Sequence, residues 1–178
     1  DNAVFDKIWT LDNYCELINI AYANMRDAYF GHMRNDTIIH MFAYSGKSNQ
    51  LIMERKEFWI KAHIDRYAYD EAKIKDIFNV IAEVFPEKRL EYIKVFLERN
   101  SDVDMFKKIS IFSNSQSWSG SEVPLIEKEI EFLQGLLNEL SGIDYLEHKQ
   151  YLKEWIRGEK QYKQKVLQRE YMYDFAYV

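Results

Sequence analysis

Apolar residues recur at steps of three and four along most of the chain, a spacing that predicts helices rather than strands. Val4, Phe5, Ile8 and Trp9 fall in loose helical register, and Thr10 or Asp12 offers an N-cap oxygen for the next helix. That helix carries Tyr14, Leu17, Ile18, Ala21, Met25, Ala28 and Tyr29 and ends near Gly31. Asn35 or Asp36 caps a shorter helix with Ile38, Ile39 and Phe42, and Ser45–Asn49 reads as a turn. Ser48 or Asn49 opens a helix whose apolar set is Leu51, Ile52, Phe58, Trp59, Ala62 and Tyr67. Asp70 caps the next, with Ile74, Ile77, Phe78, Ile81, Val84 and Phe85. Pro86 suits a first helical position, where its missing N–H has no intrahelical partner to lose. The helix it opens runs through Leu90, Ile93 and Leu97 to Asn100, and Ser101 caps a brief helix ending near Lys108.

The helical pattern stops at about residues 109–123. Serines stand at every second position of Ser113–Ser121, with Trp118 the one large apolar residue inside the run. Helical spacing resumes at Pro124 with Ile126, Ile130, Leu133, Leu137 and Leu140; Gly135 inside this helix permits close packing of a neighbour. Ser141-Gly142 ends it by a left-handed glycine. Asp144 caps a last, long helix striped by Tyr145, Leu152, Trp155 or Ile156, Tyr162, Val166 and Tyr173. The expected fold is all-α, a helical bundle or a short irregular HEAT-like stack of helix pairs. It is read as a single domain over 1–178, with a helical body at 1–108, an extended connection at 109–123, a helical hairpin at 124–173 and an apolar tail at 174–178. No motif recurs at a fixed period, which separates this chain from a regular repeat array.

Composition supports a packed helical protein. Of 178 residues 47% are hydrophobic and 16% aromatic, with only two prolines and six glycines to interrupt helices. The net charge of −5 opposes a general nucleic-acid footprint, which needs a basic surface. Cys15, the single cysteine, cannot form an internal disulfide and reads as a small buried hydrophobe. No run of about 18 apolar residues suggests a membrane span. A cytoplasmic location is the default expectation. The chain lacks an initiator Met, and it reads as the C-terminal part of a larger bacterial protein.

Three stretches offer chemistry. Ser117, Trp118, Ser119, Gly120 and Ser121 could present hydroxyls and N–H groups to a phosphate or peptide ahead of a helix N-terminus. The same residues also serve as a surface connection anchored by Trp118, with Ser121 capping the next helix. Ser45-Gly46-Lys47-Ser48 lacks the preceding strand and first glycine of a phosphate-binding loop, since Met41 stands at that glycine's position. His32, Asp36 and His40 step by four, but Gly31 and the Asn35-Asp36 cap break the helix there. No metal site or cofactor is therefore predicted.

The third stretch is Arg34-Asn35-Asp36-Thr37-Ile38-Ile39-His40. It resembles the Arg-polar-x4-His signature of the HEPN family of small all-helical ribonucleases. That resemblance covers seven residues and implies metal-independent RNA cleavage. In that reading His40 is the general acid/base, Arg34 stabilises phosphate charge and Asn35 helps position the pair. Imidazole titrates near neutrality and guanidinium grips phosphate, so the chemistry is sound. The alternative for the same residues is a helix cap with His40 on a half-exposed face.

The leading expectation is a non-enzymatic interaction or regulatory module. Its partner would be a protein or other domains of the same larger chain, and nucleic acid enters only under the ribonuclease reading. Thirteen tyrosines favour such a role, because the side chain joins an apolar ring to a polar tip.

Overall fold

Helix start signals in the sequence do most to place the elements. The computed structural model describes residues 2–27, 38–43, 49–112 and 120–176. Helix α1 spans Asn2–Thr10, α2 spans Tyr14–Asp27, and α3 is helical over 38–43. They are followed by α4 (Gln50–Tyr67), α5 (Glu71–Val84), a 3₁₀ turn at Pro86–Lys88, α6 (Arg89–Arg99) and α7 (Val103–Phe106). Beyond the serine run come α8 (Val123–Glu139), a 3₁₀ turn at Ile143–Tyr145 and α9 (Leu146–Ala176). No strand occurs among the described residues, and the protein is an all-α helical bundle. The expected helix end near Gly31, the Asn35 or Asp36 cap and the turn at 45–48 lie outside the described residues. So does the serine run up to Ser119.

Several caps are as expected. The Asn49 side chain accepts from the Ile52 N–H at 3.3 Å, and Asp70 accepts from the Lys73 N–H at 3.1 Å. Other helix ends differ. The Asn13 carbonyl accepts from the Leu17 N–H at 3.3 Å, so Asn13 rather than Thr10 or Asp12 begins α2. Thr10 is still inside α1, where its hydroxyl donates to the Lys7 carbonyl at 2.7 Å. Asp102, not Ser101, caps α7 by accepting from the Asp104 N–H at 2.9 Å. Asp144 sits within the 3₁₀ turn, one turn early for α9. Gly142 has φ 102° and ψ 169°. That is the extended positive-φ region open essentially to glycine alone, not the left-handed helical one.

The chain divides into two compact units, Asp1–Ser113 and Asn114–Val178. In the first, α4 packs on α1, α5 and α6, around a core that includes Trp9, Ile60, Phe78, Tyr92 and Phe96. Buried Asn100 donates from its amide to the Ala68 carbonyl at 2.8 Å and accepts from the Asp102 N–H at 2.9 Å. One side chain thus ties the end of α6 to the α4–α5 turn. At the start of α5, Glu71 receives Lys108 at 2.7 Å and Lys75 at 2.8 Å. The hydrogen bond from Lys108, then that from Lys75, holds its carboxyl down at about 2, against an ordinary 4.5. Cys15 is half-buried rather than buried.

In the second unit α8 and α9 form a hairpin. Ile126, Ile130, Leu133, Leu136 and Leu140 of the α8 side are buried, as are His148, Leu152, Ile156 and Val166 of α9. Polar contacts fix the antiparallel register. Lys163 pairs with Glu127 at 2.6 Å, Tyr162 donates to Glu122 at 2.8 Å, and Arg169 pairs with Glu122 at 3.3 Å. Tyr162, expected on the inner stripe, is exposed and reaches back over the start of α8; Tyr171 and Met172 are exposed as well. A Cβ at Gly135 would meet nothing within 4 Å, so this glycine does not serve a close approach. Gly158 in α9 is equally open.

Gly135→Ala and Gly158→Ala are each expected to stabilise the protein by about 0.5–1 kcal/mol, because helix propensity improves with no steric conflict. Urea denaturation followed by circular dichroism measures this. A destabilised Gly135→Ala protein would mean the site is closely packed after all. For Glu71 the folded state favours the ionised form. Its contribution is complete above about pH 4.5 and is lost as pH falls toward about 2. Thermal melts between those values should show a steeper loss of stability for the wild type than for Glu71→Gln.

Candidate functional site

Helix α4 determines what the first unit keeps inside and what it offers outside. Its buried residues are Ile52, Lys56, Trp59, Ile60, His63 and Ile64. Leu51, Phe58 and Ala62, expected to face the core, are exposed instead. The apolar pattern misleads here because the inner face includes a lysine and a histidine, which hydropathy assigns to solvent.

Lys56 has 0% exposure, and its ammonium donates to the Phe42 carbonyl at 2.7 Å. It also stands 5.9 Å from the centre of the Trp9 ring. Neighbouring Arg55 donates to the carbonyls of Trp9 at 3.0 Å and Leu11 at 2.7 Å. Two successive cations of α4 thus meet carbonyls of α3 and of the C-terminal end of α1, and at the latter the helix dipole is negative. The Trp9 indole closes the group by donating to the Met41 carbonyl at 3.0 Å. Arg55 also lies over the Tyr14 ring at 4.8 Å. Desolvation first, then Cys15, pushes the Tyr14 hydroxyl up to about 12.

One turn further, His63 stacks on Trp59 at 4.6 Å, with Tyr22 edge-on at 5.0 Å and Tyr67 at 4.8 Å. The Tyr22 hydroxyl donates to buried Asp76 at 3.1 Å, and the Trp59 indole donates to Asn19 at 3.0 Å. Lys73 caps the assembly with its ammonium 3.6 Å from the centre of the Tyr67 ring. Imidazole, phenol and carboxylate together are an inventory for proton transfer. Here they lie in the interior and join α2, α4 and α5.

Of the ribonuclease-like residues, His40 is exposed on α3, whereas Arg34 and Asn35 lie outside the described residues. In the serine stretch, Ser117, Trp118 and Ser119 lie outside them too. Gly120 is exposed with φ 100°. Ser121 works as a helix-start residue: its hydroxyl oxygen accepts from the Val123 N–H at 3.2 Å and donates to Glu170 at 2.9 Å. Among the described residues no group of three or more His, Cys, Asp or Glu is placed to hold a metal ion. None of their helices is long and apolar enough to cross a membrane.

The feature that sequence reasoning missed is the outer face of α4. Leu51, Phe58 and Ala62 follow at steps of seven and four, within about 40° of one another around the helix. Phe58 is 59% exposed and Leu51 48%. The signal was present in the spacing itself: Leu51, Phe58 and Ala62 share one line of the helix, about 100° around it from the line of Ile52 and Trp59.

No protein-family model, curated protein or solved structure matches the chain.

Lys56→Met is expected to lower stability by about 1.5–3 kcal/mol, the worth of a hydrogen bond from a charged donor. Lys56→Ala should lose at least about 2 kcal/mol more by leaving a cavity. Equal losses in chemical denaturation would show that the lysine stem is not packed.

Proposed function

We propose that this chain is a non-enzymatic helical interaction module that docks a protein partner, or another domain of a longer chain, on the outer face of α4. The observation that carries this reading is the exposed stripe of Leu51, Phe58 and Ala62. A soluble surface has single apolar residues scattered over it, but aligned ones on one helix suit a partner's groove. Burying Leu51 and Phe58 would contribute about 1.5–3 kcal/mol each. Glu54 and Asp65 flank the stripe on one side, where Asp65 pairs with Arg99, and exposed Arg66 flanks it on the other, so a matching groove would be apolar with a rim of mixed charge. The buried cations, imidazole and carboxylate of the first unit support the reading, since their contacts hold helices together.

Site-specific photocrosslinking tests it. A photoreactive phenylalanine analogue at position 58 is expected to give discrete protein adducts in cells. The same probe at exposed Glu98 of α6 should not give them. Leu51→Asp should abolish the adducts while leaving the melting temperature near that of the wild type. Identical adducts at both positions, or none, would sink the proposal. So would metal-independent RNA cleavage that disappears in His40→Ala, which would instead favour a ribonuclease.

A further inference from the structure

Charge in the second unit is sorted by face. Around α9, Lys149, Lys153, Arg157 and Lys160 follow one another at steps of four and three, and Gln164, Leu167 and Tyr171 continue the same ridge. Lys153, Arg157 and Lys160 are exposed, and Tyr171 is 66% exposed. Asp174 follows Tyr171 by three residues at the far end of the ridge, and the glutamates of α9 lie elsewhere. Glu159 accepts from the Trp155 indole at 3.1 Å, and Glu170 accepts from Ser121 at 2.9 Å. Glu147 and Glu154 sit roughly a quarter turn or more away around the helix. Between residues 149 and 171 there are seven lysines and arginines against three glutamates, in a chain whose net charge is −5.

The opposite wall belongs to α8. Arg157 and Lys160 line a groove of about 510 Å³ together with Glu127 and Glu131. Glu127 is engaged by Lys163 at 2.6 Å. Glu131 is the carboxylate that bears on the ridge from across the groove.

We propose that this ridge of α9 binds single-stranded nucleic acid, with the phosphate backbone along the cations and a base against Tyr171. The four cations span about 16 Å of helix, a track for several phosphates. An exposed aromatic ring further along the same ridge supplies the sequence-tolerant stacking that single strands use. Gln164 and Leu167 fill the intervening positions, the glutamine with a donor and an acceptor for base or sugar. A lipid surface fits less well, because an interfacial helix needs an apolar stripe along its length. This inference concerns the second unit and goes beyond the docking role of α4.

The test is fluorescence anisotropy of a labelled 20-nucleotide uridine RNA with the full chain, between 50 and 200 mM salt. Binding is expected, with log K falling against log salt at a slope of about −3, as four single-strand phosphate contacts require. Replacing Lys153, Arg157 and Lys160 together by Gln should cut the slope to about −0.7 and weaken binding at least about tenfold at low salt. Tyr171→Ala should weaken binding with the slope unchanged, and Glu131→Gln should tighten it. Circular dichroism of the triple variant should match the wild type, since all three side chains are exposed and glutamine is a good helix former. No RNA binding at 50 mM salt overturns the proposal, as does a slope unaltered in the triple variant. Ridge-dependent binding to phosphatidylserine vesicles or to polyglutamate, without RNA binding, also overturns it and assigns the face to lipid or to an acidic protein.

Discussion

A fully buried ammonium is the constraint on which the first unit depends. Moving a lysine charge out of water is expensive unless oxygen ligands replace the lost hydration. Lys56 meets the Phe42 carbonyl at 2.7 Å, and that contact holds α3 against α4. Arg55 does the same for α1 through the carbonyls of Trp9 and Leu11. Helix C-termini leave carbonyls unsatisfied, so Arg55 and the end of α1 answer each other's deficits. Hydrophobic burial alone would favour compaction without choosing this rotation of α4, because the helix has a second apolar stripe.

The second turn of the same face continues that logic with aromatic rings. Trp59, His63 and Tyr67 ascend α4 at steps of four, and Tyr22 reaches them from α2 while donating to Asp76 of α5. Ring contacts are directional, and the Tyr22–Asp76 hydrogen bond is more so. They convert a generally apolar interface into one with a defined register between three helices.

How far the sequence could be read depended on the range of the interaction. Asn49 and Asp70 bind the backbone three residues ahead, and Pro86 and Pro124 act within one turn. Such local chemistry is legible in a single chain. The all-helical class and the α8–α9 hairpin follow from periodicity for the same reason. The inner face of α4 was not legible. Lys56 and His63 are buried only because α1, α3 and α2 bring carbonyls and rings to them, across separations from 14 residues (Lys56 to Phe42) to 47 (Lys56 to Trp9, 56 − 9). Ser121 shows a milder case: its cap to Val123 is local, but its bond to Glu170 depends on the return of α9. Gly142 was legible as a turn, whereas its extended backbone reflects how Leu140 leaves α8.

Averages conceal both surfaces that the fold leaves outward. On α4, Leu51 and Phe58 merge in any hydropathy window with Ile52 and Trp59, though the two pairs lie about 100° apart around the helix. On α9, a negative chain total hides a run of cations between residues 149 and 160 that the glutamates do not join, because Glu159 and Glu170 are turned toward Trp155 and Ser121. Those glutamates take part in internal hydrogen bonds, so the sorting of charge is tied to the packing of the hairpin itself. What α9 presents outward therefore follows from how its inner face is held. The same holds for α4, whose buried lysine determines which apolar stripe reaches the surface.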